Sequence, residues 1–209
     1  MTTESRSQMG WRFWLKWVSA NALAVTISVS IFYVGGQILA GGAFGGGGLL
    51  LILLGIPVVV GKVQSLILDK YVDWYGWTGA TIGGWVFGCI IVLFLLVTQR
   101  ISESGILPDA ILGSILGITV GVAQWGILEK NVQKRAWWIV ANVVAISSSL
   151  IVSNLIVSMF YEPPTNWAPL QDFVTSLLSG GVLVSIIVAS LIFSVITGSV
   201  LAWLLGHRR

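Results

Sequence analysis

Six long apolar runs constrain this chain more than any other feature of its sequence. They cover about residues 14–34, 48–68, 76–98, 108–128, 137–160 and 181–205. Each run has about the 20 residues that a helix needs to cross a bilayer, and a segment in hydrocarbon must pair its own backbone N–H and C=O groups. Only 9% of the 209 residues are charged, against about a quarter in soluble domains. The sequence therefore predicts an all-α integral membrane protein with six transmembrane helices.

The basic residues predict the orientation of these spans. Ten of the eleven Lys and Arg residues fall on the side of the two chain termini, and Arg100 alone falls on the other side. Positively charged loops stay on the cytoplasmic side of a membrane. We therefore expect both termini to be cytoplasmic, in a bacterial inner membrane or a thylakoid membrane. The first span is longer than the apolar core of a signal peptide, about 7–15 residues, so we expect it to be retained.

Two short motifs recur along the chain at a nearly constant spacing. The pattern W-x-x-A-[NT] begins at Trp17, Trp77 and Trp138, at offsets of 60 and 61. The pattern G-x-x-Q begins at Gly61 and again at Gly121, at an offset of 60. Repeats in one orientation occur in some transporters around an axis along the membrane normal. The spacing therefore predicts six helices arranged as three pseudo-repeated helical hairpins around such an axis.

The repeat also divides the single membrane domain. Residues 199–208 provide a divergent third copy of the second motif, in which Ala202 takes the place of Gln. We expect a cytoplasmic tail at 1–10, hairpins at 11–75, 76–136 and 137–209, and an insertion on the outer face at 161–180. The apolar spacing within this insertion predicts an amphipathic helix, and the glycine-rich residues 35–48 predict a mobile linker.

Three segments of the chain share motifs with a known group of proteins. G-x-x-Q-W at 121–125 is followed by a basic turn and by W-W-x-x-A-N at 137–142, and residues 196–205 read I-T-G-S-V-L-A-W-L-L. Together they resemble a family of small multi-spanning proteins common in cyanobacteria, over most of the chain from about Trp77 onward. Gln64 departs from the family pattern because Ser65, rather than Trp, follows it. The resemblance implies a membrane location and no catalytic residues.

Polar side chains recur at one depth within the predicted spans. The candidate binding residues are Asn21, Gln64, Thr81, Gln124 and Asn142, with Lys62 as the deepest charge. In one interpretation the amides bond helices together, at about 0.6 kcal/mol per contact. In the other they form a ring that binds a polar headgroup or solute. Lys62 either extends its amine to the interface or binds a phosphate headgroup.

Tryptophans concentrate at the predicted cytoplasmic ends of the helices. Nine of the eleven lie there, and Trp is enriched where a membrane meets water. We therefore predict membrane-interface anchors at Trp14, Trp17, Trp77, Trp125, Trp137, Trp138 and Trp203.

Small residues at four-residue spacing predict close helix contacts. Such rows occur at Gly113, Gly117 and Gly121, at Gly79 and Gly83, at Gly84 and Gly88, and at Ser190, Ser194, Gly198 and Ala202. The partner helix is either internal to the bundle, which a six-helix bundle favours, or from another subunit.

The residue types present argue against catalysis. The sequence has no Ser-His pair, metal-ligand cluster or Gly-rich phosphate motif, and its single His lies in the C-terminal tail. We expect no enzyme activity, no cofactor and no metal, and a net charge of +3 is too small to indicate a nucleic-acid partner.

Two function classes remain. The first is a scaffold, assembly or lipid-contacting interaction protein, whose partners are the bilayer and a membrane protein bound at the outer insertion. The alternative is a small-solute or lipid transporter that uses the polar layer. A water-wide cavity along the bundle axis favours transport, whereas an axis filled by apolar residues favours an interaction role.

Overall fold

Helices account for nearly all of the chain that the computed structural model describes, which is residues 3–39, 46–69, 76–98, 105–128, 134–160 and 180–206. The six helices are α1 (Thr3–Leu39), α2 (Gly46–Leu68), α3 (Trp77–Val97), α4 (Ile106–Leu128), α5 (Ala136–Phe160) and α6 (Gly180–Gly206). Among the described residues, every helix except α2 contains a stretch long and apolar enough to cross a membrane. In α2 the stretch Leu54–Leu68 is a shorter apolar helix. The chain is thus an all-α membrane protein.

The first two helices are longer than hydropathy predicted. α1 begins at Thr3 and ends at Leu39, and α2 begins at Gly46. Residues 3–10 of the predicted tail are therefore helical, and both ends of the predicted glycine-rich linker belong to helices. Hydropathy detects the apolar part of a helix and misses its polar extensions, while glycine costs a helix only about 1 kcal/mol. Residues 40–45 and the predicted amphipathic helix at 161–179 lie outside the described residues.

The helices form a closed ring. Each packs against its neighbours in sequence, α1 also packs against α6, and over the described ranges no other pair brings its backbones close together. One end of the ring gathers the starts of α1, α3 and α5 and the ends of α2, α4 and α6. We call it the Trp end, and its buried core contains Phe13, Trp17, Leu68, Trp77, Leu128, Trp138, Ala141, Leu201 and Leu204.

Glycine rows bring neighbouring helices into backbone contact. A Cβ at Gly117 of α4 would lie 2.5 Å from Val143 Cα of α5, and one at Gly84 of α3 would lie 2.7 Å from Val120 Cα of α4. The predicted internal contacts are confirmed for the rows containing these two residues. They are wrong for Gly79 and Gly83, which have nothing within 4 Å because they lie on the outward face of α3.

Three of the predicted interface anchors are core residues. Trp17, Trp77 and Trp138 are at most 1% exposed, so the prediction of an interfacial position is wrong for them. Their indole N–H groups find acceptors inside the bundle, which removes the need for an aqueous interface. Trp137 and Trp203 are exposed, as expected of anchors.

The other two predicted anchors are half-buried. Trp14 stacks on Trp11 with ring centroids 4.9 Å apart, and Trp125 lies beneath the Arg135 guanidinium, whose carbon is 4.8 Å from the ring centroid. Both therefore combine a partly covered ring with a position at the Trp end.

Candidate functional site

Five of the six candidate binding residues lie in a buried polar layer, and Gln64 of α2 organises its first part. Gln64 Nε2 donates to Asn21 Oδ1 of α1 at 2.9 Å, and Gln64 Oε1 accepts from Trp77 Nε1 of α3 at 2.9 Å. Asn21 Nδ2 in turn donates to Trp17 O at 3.0 Å. One amide side chain therefore connects three helices, with both of its polar atoms paired.

Gln124 of α4 repeats this arrangement. Its Nε2 donates to Thr81 Oγ1 of α3 at 2.8 Å, and its Oε1 accepts from Trp138 Nε1 of α5 at 2.8 Å. Thr81 Oγ1 donates to Trp77 O at 2.9 Å, as Asn21 does to the carbonyl of its own Trp. These bonds are the cross-helix contacts that the structural interpretation predicted.

The glycine contacts show which residue of α6 corresponds to Gly121 of α4. Gly121 approaches Ile139, the residue after Trp138, and Gly198 approaches Trp17 and the following Val18. Gly198 therefore occupies on α6 the place that Gly121 occupies on α4.

Leucine stands on α6 where the other two even-numbered helices have glutamine. Leu201 follows Gly198 by three residues, as Gln124 follows its own glycine, and it is fully buried. The sequence alignment placed Ala202 here, one residue too far. Trp17 Nε1 instead donates to Thr197 Oγ1 at 3.1 Å. The α1–α6 junction is thus joined by a hydroxyl rather than by a bridging amide.

Because leucine replaces glutamine at position 201, Asn142 of α5 has different hydrogen bonds from Asn21. Asn142 Nδ2 donates to Trp138 O at 2.9 Å, and the side chain is 1% exposed. In Asn21 the Oδ1 atom accepts from Gln64, whereas no residue of the described ranges donates to Asn142 Oδ1. The Oδ1 atom of this cavity-lining residue therefore has no protein donor among the described residues, because Leu201 has none to offer.

The three core tryptophans close the Trp end of the bundle beneath this layer. The Trp138 ring contacts the Trp77 ring with centroids 5.8 Å apart and the Trp17 ring with centroids 6.3 Å apart. Because each ring belongs to a different helix and is held by its indole hydrogen bond, the three form a fixed block, which we call the Trp block.

A cavity of about 280 Å³ lies between the helices on the other side of the polar layer. All six helices line it, with the side chains of Gln64, Thr81, Gln124 and Asn142 among those facing it. On α5 the lining extends from Asn142 to Ser153, which corresponds to about 16 Å at 1.5 Å per residue. The lining residues include no charged side chain within the described part of the chain. Most of the wall is formed by Val, Ile, Leu, Phe and Trp.

Two features of the site escaped the sequence analysis. Trp85 lines the cavity one turn from Thr81, and its Nε1 atom is buried without a hydrogen-bond partner in the described structure. Its spacing of four residues from Thr81 is the signal that places it on the same face of α3. The unpaired acceptor of Asn142 depends on Leu201, and only the helix register shows their relation.

Lys62 does not join the site. Its side chain is exposed, whereas Gln64 on the same helix is 2% exposed. Residues two apart on a helix are separated by about 200° around its axis. Lys62 therefore lies on the outside of the ring.

Two basic residues near the Trp end contact aromatic rings instead of the cavity. Lys134 Nζ lies 5.1 Å from the Trp203 ring centroid, and Arg135 lies over Trp125. Over the described ranges, no group of three or more His, Cys, Asp or Glu residues is placed to hold a metal ion. Comparisons with protein-family models, with curated proteins and with solved structures found no match to this chain.

Proposed function

We propose that this chain is a non-enzymatic, lipid-contacting membrane protein that holds a small apolar molecule between its six helices. The observation that carries the proposal is the cavity of about 280 Å³ with apolar walls. A dry apolar cavity of about 150 Å³ is enough to bind benzene, and small-ligand pockets begin at about 300 Å³. The volume therefore suits a small apolar molecule or part of a lipid.

The chemistry of the lining supports an uncharged ligand. A charge in hydrocarbon needs a partner of opposite sign, and the described lining residues offer neither a cation nor an anion. Most polar atoms of the layer already bond to one another. Scaffold and assembly roles would depend on the outer insertion at 161–180, so the cavity favours the lipid-contacting role among the three.

We also propose the orientation, the membrane, the repeat architecture and the family of this chain. The ten-to-one distribution of basic residues supports cytoplasmic termini, in a bacterial inner or thylakoid membrane. The matching bonds of Gln64 and Gln124 support three pseudo-repeated hairpins, of which the third has diverged at Leu201. The shared motifs support membership of the cyanobacterial family.

The test is mass spectrometry of small molecules that co-purify with the protein in mild detergent. We expect an uncharged apolar molecule to accompany the wild-type chain. Ala189→Phe places a ring into the cavity wall, and it should remove that molecule while the helix content is retained. Val184→Phe is the matched control, since Val184 is on the same helix with 44% of its side chain exposed. A molecule retained by both variants would contradict the proposal.

Transport is a second candidate, because a cavity between the six helices is the feature that favours it. The Trp block closes one end of this cavity, so a molecule would pass that end only if Trp17, Trp77 and Trp138 separated. Proteoliposomes would distinguish the two roles. A transporter would accelerate the movement of a fluorescent short-chain lipid across the bilayer, and cross-linking α1 to α5 at the Trp end would stop it, whereas a binding protein would leave the rate at that of protein-free vesicles.

A further inference from the structure

The polar layer leaves Asn142 as the acceptor without a protein donor. Three odd-numbered helices each place an Asn or Thr four residues after a buried Trp, and Gln64 and Gln124 donate to the first two of them. The third, Asn142, would receive its donor from a glutamine on α6, but Leu201 occupies that position. Asn142 Oδ1 is therefore the one amide oxygen of the layer, within the described residues, that lacks a donor.

This oxygen belongs to a side chain that lines the cavity. Asn142 is 1% exposed in total and forms part of the cavity lining. An acceptor that is shielded from water and unpaired carries a free-energy cost. A donor on a molecule in the cavity would therefore gain binding free energy by pairing with it. Trp85 Nε1, the unpaired donor one turn from Thr81, adds a second polar position on the same wall.

The absence of charge in the described lining selects the kind of donor. An ammonium group would enter without a counter-ion, and a carboxylate would offer no donor once it is ionised. A hydroxyl is uncharged, donates one hydrogen bond and also accepts. Among common functional groups of lipids, the hydroxyl thus matches the acceptor of Asn142 and the donor of Trp85.

We propose that the cavity binds an uncharged long-chain alcohol whose hydroxyl donates to Asn142 Oδ1 while its chain lies along the apolar wall. This inference rests on the proposed function, because it names the class of molecule that the cavity holds. Free alcohols and the hydroxyl of an uncharged glyceride share this chemistry. The molecule enters with its hydroxyl toward the Trp block, since Asn142 lies at that end of the cavity.

The experiment uses photolabelling of the full chain in lipid nanodiscs. The probes are a diazirine-bearing decanol and its methyl ether, which has the same chain but no donor, and mass spectrometry maps the labelled residues. We expect the alcohol to label cavity-lining residues about three- to ten-fold more than the ether, the factor that corresponds to one net hydrogen bond. Asn142→Thr keeps an acceptor oxygen and should keep this preference. Asn142→Val introduces a side chain with the shape of threonine but without the oxygen, and it should lose the preference.

A second variant keeps the test decisive if Asn142→Val does not fold. Leu201→Gln supplies the amide that α2 and α4 already have, so its Nε2 should occupy Asn142 Oδ1 and abolish the preference for the alcohol. Val144→Leu changes an exposed residue of α5 and is the matched control, which should label like the wild type.

The outcomes separate this inference from the proposed function. Equal labelling of the lining by alcohol and ether in the wild-type chain would overturn the hydroxyl contact and leave the apolar cavity ligand standing. A preference that survives in both Asn142→Val and Leu201→Gln would also overturn it. Labelling confined to lipid-facing residues with both probes would overturn the proposed function together with the inference.

Discussion

At the scale of single residues, the polar layer works because each bridging amide has both of its atoms paired. Gln124 accepts from a buried indole and donates to a buried hydroxyl, so its removal leaves the Trp138 indole without an acceptor and Thr81 with only its bond to Trp77 O. In lipid, cross-helix hydrogen bonds average about 0.6 kcal/mol because the unfolded chain also finds partners. An unpaired buried donor costs more, about 1–3 kcal/mol.

We predict that Gln124→Leu lowers the free energy of unfolding by about 1–3 kcal/mol, mainly because Trp138 Nε1 is left unpaired. Unfolding in mixed detergent micelles, followed by circular dichroism, measures the change. Val122→Leu is the control, since Val122 is on the same helix and 47% exposed. In a double-mutant cycle, Trp138→Phe should cost less in the Gln124→Leu background than in the wild type. Additive losses would show that the bond contributes nothing.

The sequence predicted the residues of the polar layer and missed that the core tryptophans face inward with them. Trp17 and Asn21 are four residues apart, so they share a helix face. A polar residue that faces the bundle therefore turns its Trp inward as well. The general preference of Trp for interfaces pointed the other way, and the internal acceptor outweighs it for Trp17, Trp77 and Trp138.

At the scale of helices, packing depends on glycine rows that face a neighbour. Gly117 lies against the backbone of Val143, where no side chain can move aside to make room. Gly126 on the same helix has nothing within 4 Å. The same residue type thus carries opposite consequences at two positions of α4.

We predict that Gly117→Ala destabilises the bundle by about 3 kcal/mol, the upper end of the usual cost of overpacking, because its Cβ would force α4 and α5 apart. Gly126→Ala should be neutral or stabilise by a few tenths of a kcal/mol, since alanine favours a helix. Thermal unfolding of the two variants in one detergent compares them directly. Similar melting temperatures would mean that the α4–α5 contact relaxes without cost.

Sequence periodicity located these helices but could not assign all of their faces. The ends of α3, α4, α5 and α6 fall within about two residues of the predicted spans, because hydropathy changes sharply there. Two successive glycine rows on α3 have the same spacing, yet Gly84 packs and Gly83 does not. Only the position of α4 distinguishes them, and a single sequence does not contain it.

At the scale of the whole molecule, the proposal predicts which side of the membrane each end faces. In a Cys89→Ala background, Thr98→Cys lies at the end away from the Trp block and Lys134→Cys at the Trp end, and both positions are exposed. A membrane-impermeant maleimide applied to spheroplasts should label Thr98→Cys at once and Lys134→Cys only after permeabilisation. The reverse pattern would contradict cytoplasmic termini.

The six helices of the described part of the chain followed from the sequence, whereas the cavity did not. A hollow axis depends on how far apart six faces stand, and residues such as Val25, Ile146 and Phe193 would be equally suited to a filled core. The position of Leu201 opposite Asn142 likewise depends on a register that the long third loop obscures. The fold class can therefore be predicted from one sequence, whereas the shape of the interior cannot.

The closed ring has a consequence for biosynthesis. Helices leave the ribosome in chain order. Over the described residues, five of the six closely packed helix pairs are consecutive in the chain, so each pair can form as soon as its second helix has been inserted. The contact between α1 and α6 has to wait for the last span, and until then Trp17 lacks the Thr197 hydroxyl that accepts from it. A nascent chain thus passes through a stage in which its interior is open to the surrounding lipid. A molecule destined for that interior can be enclosed during assembly and need not enter afterwards.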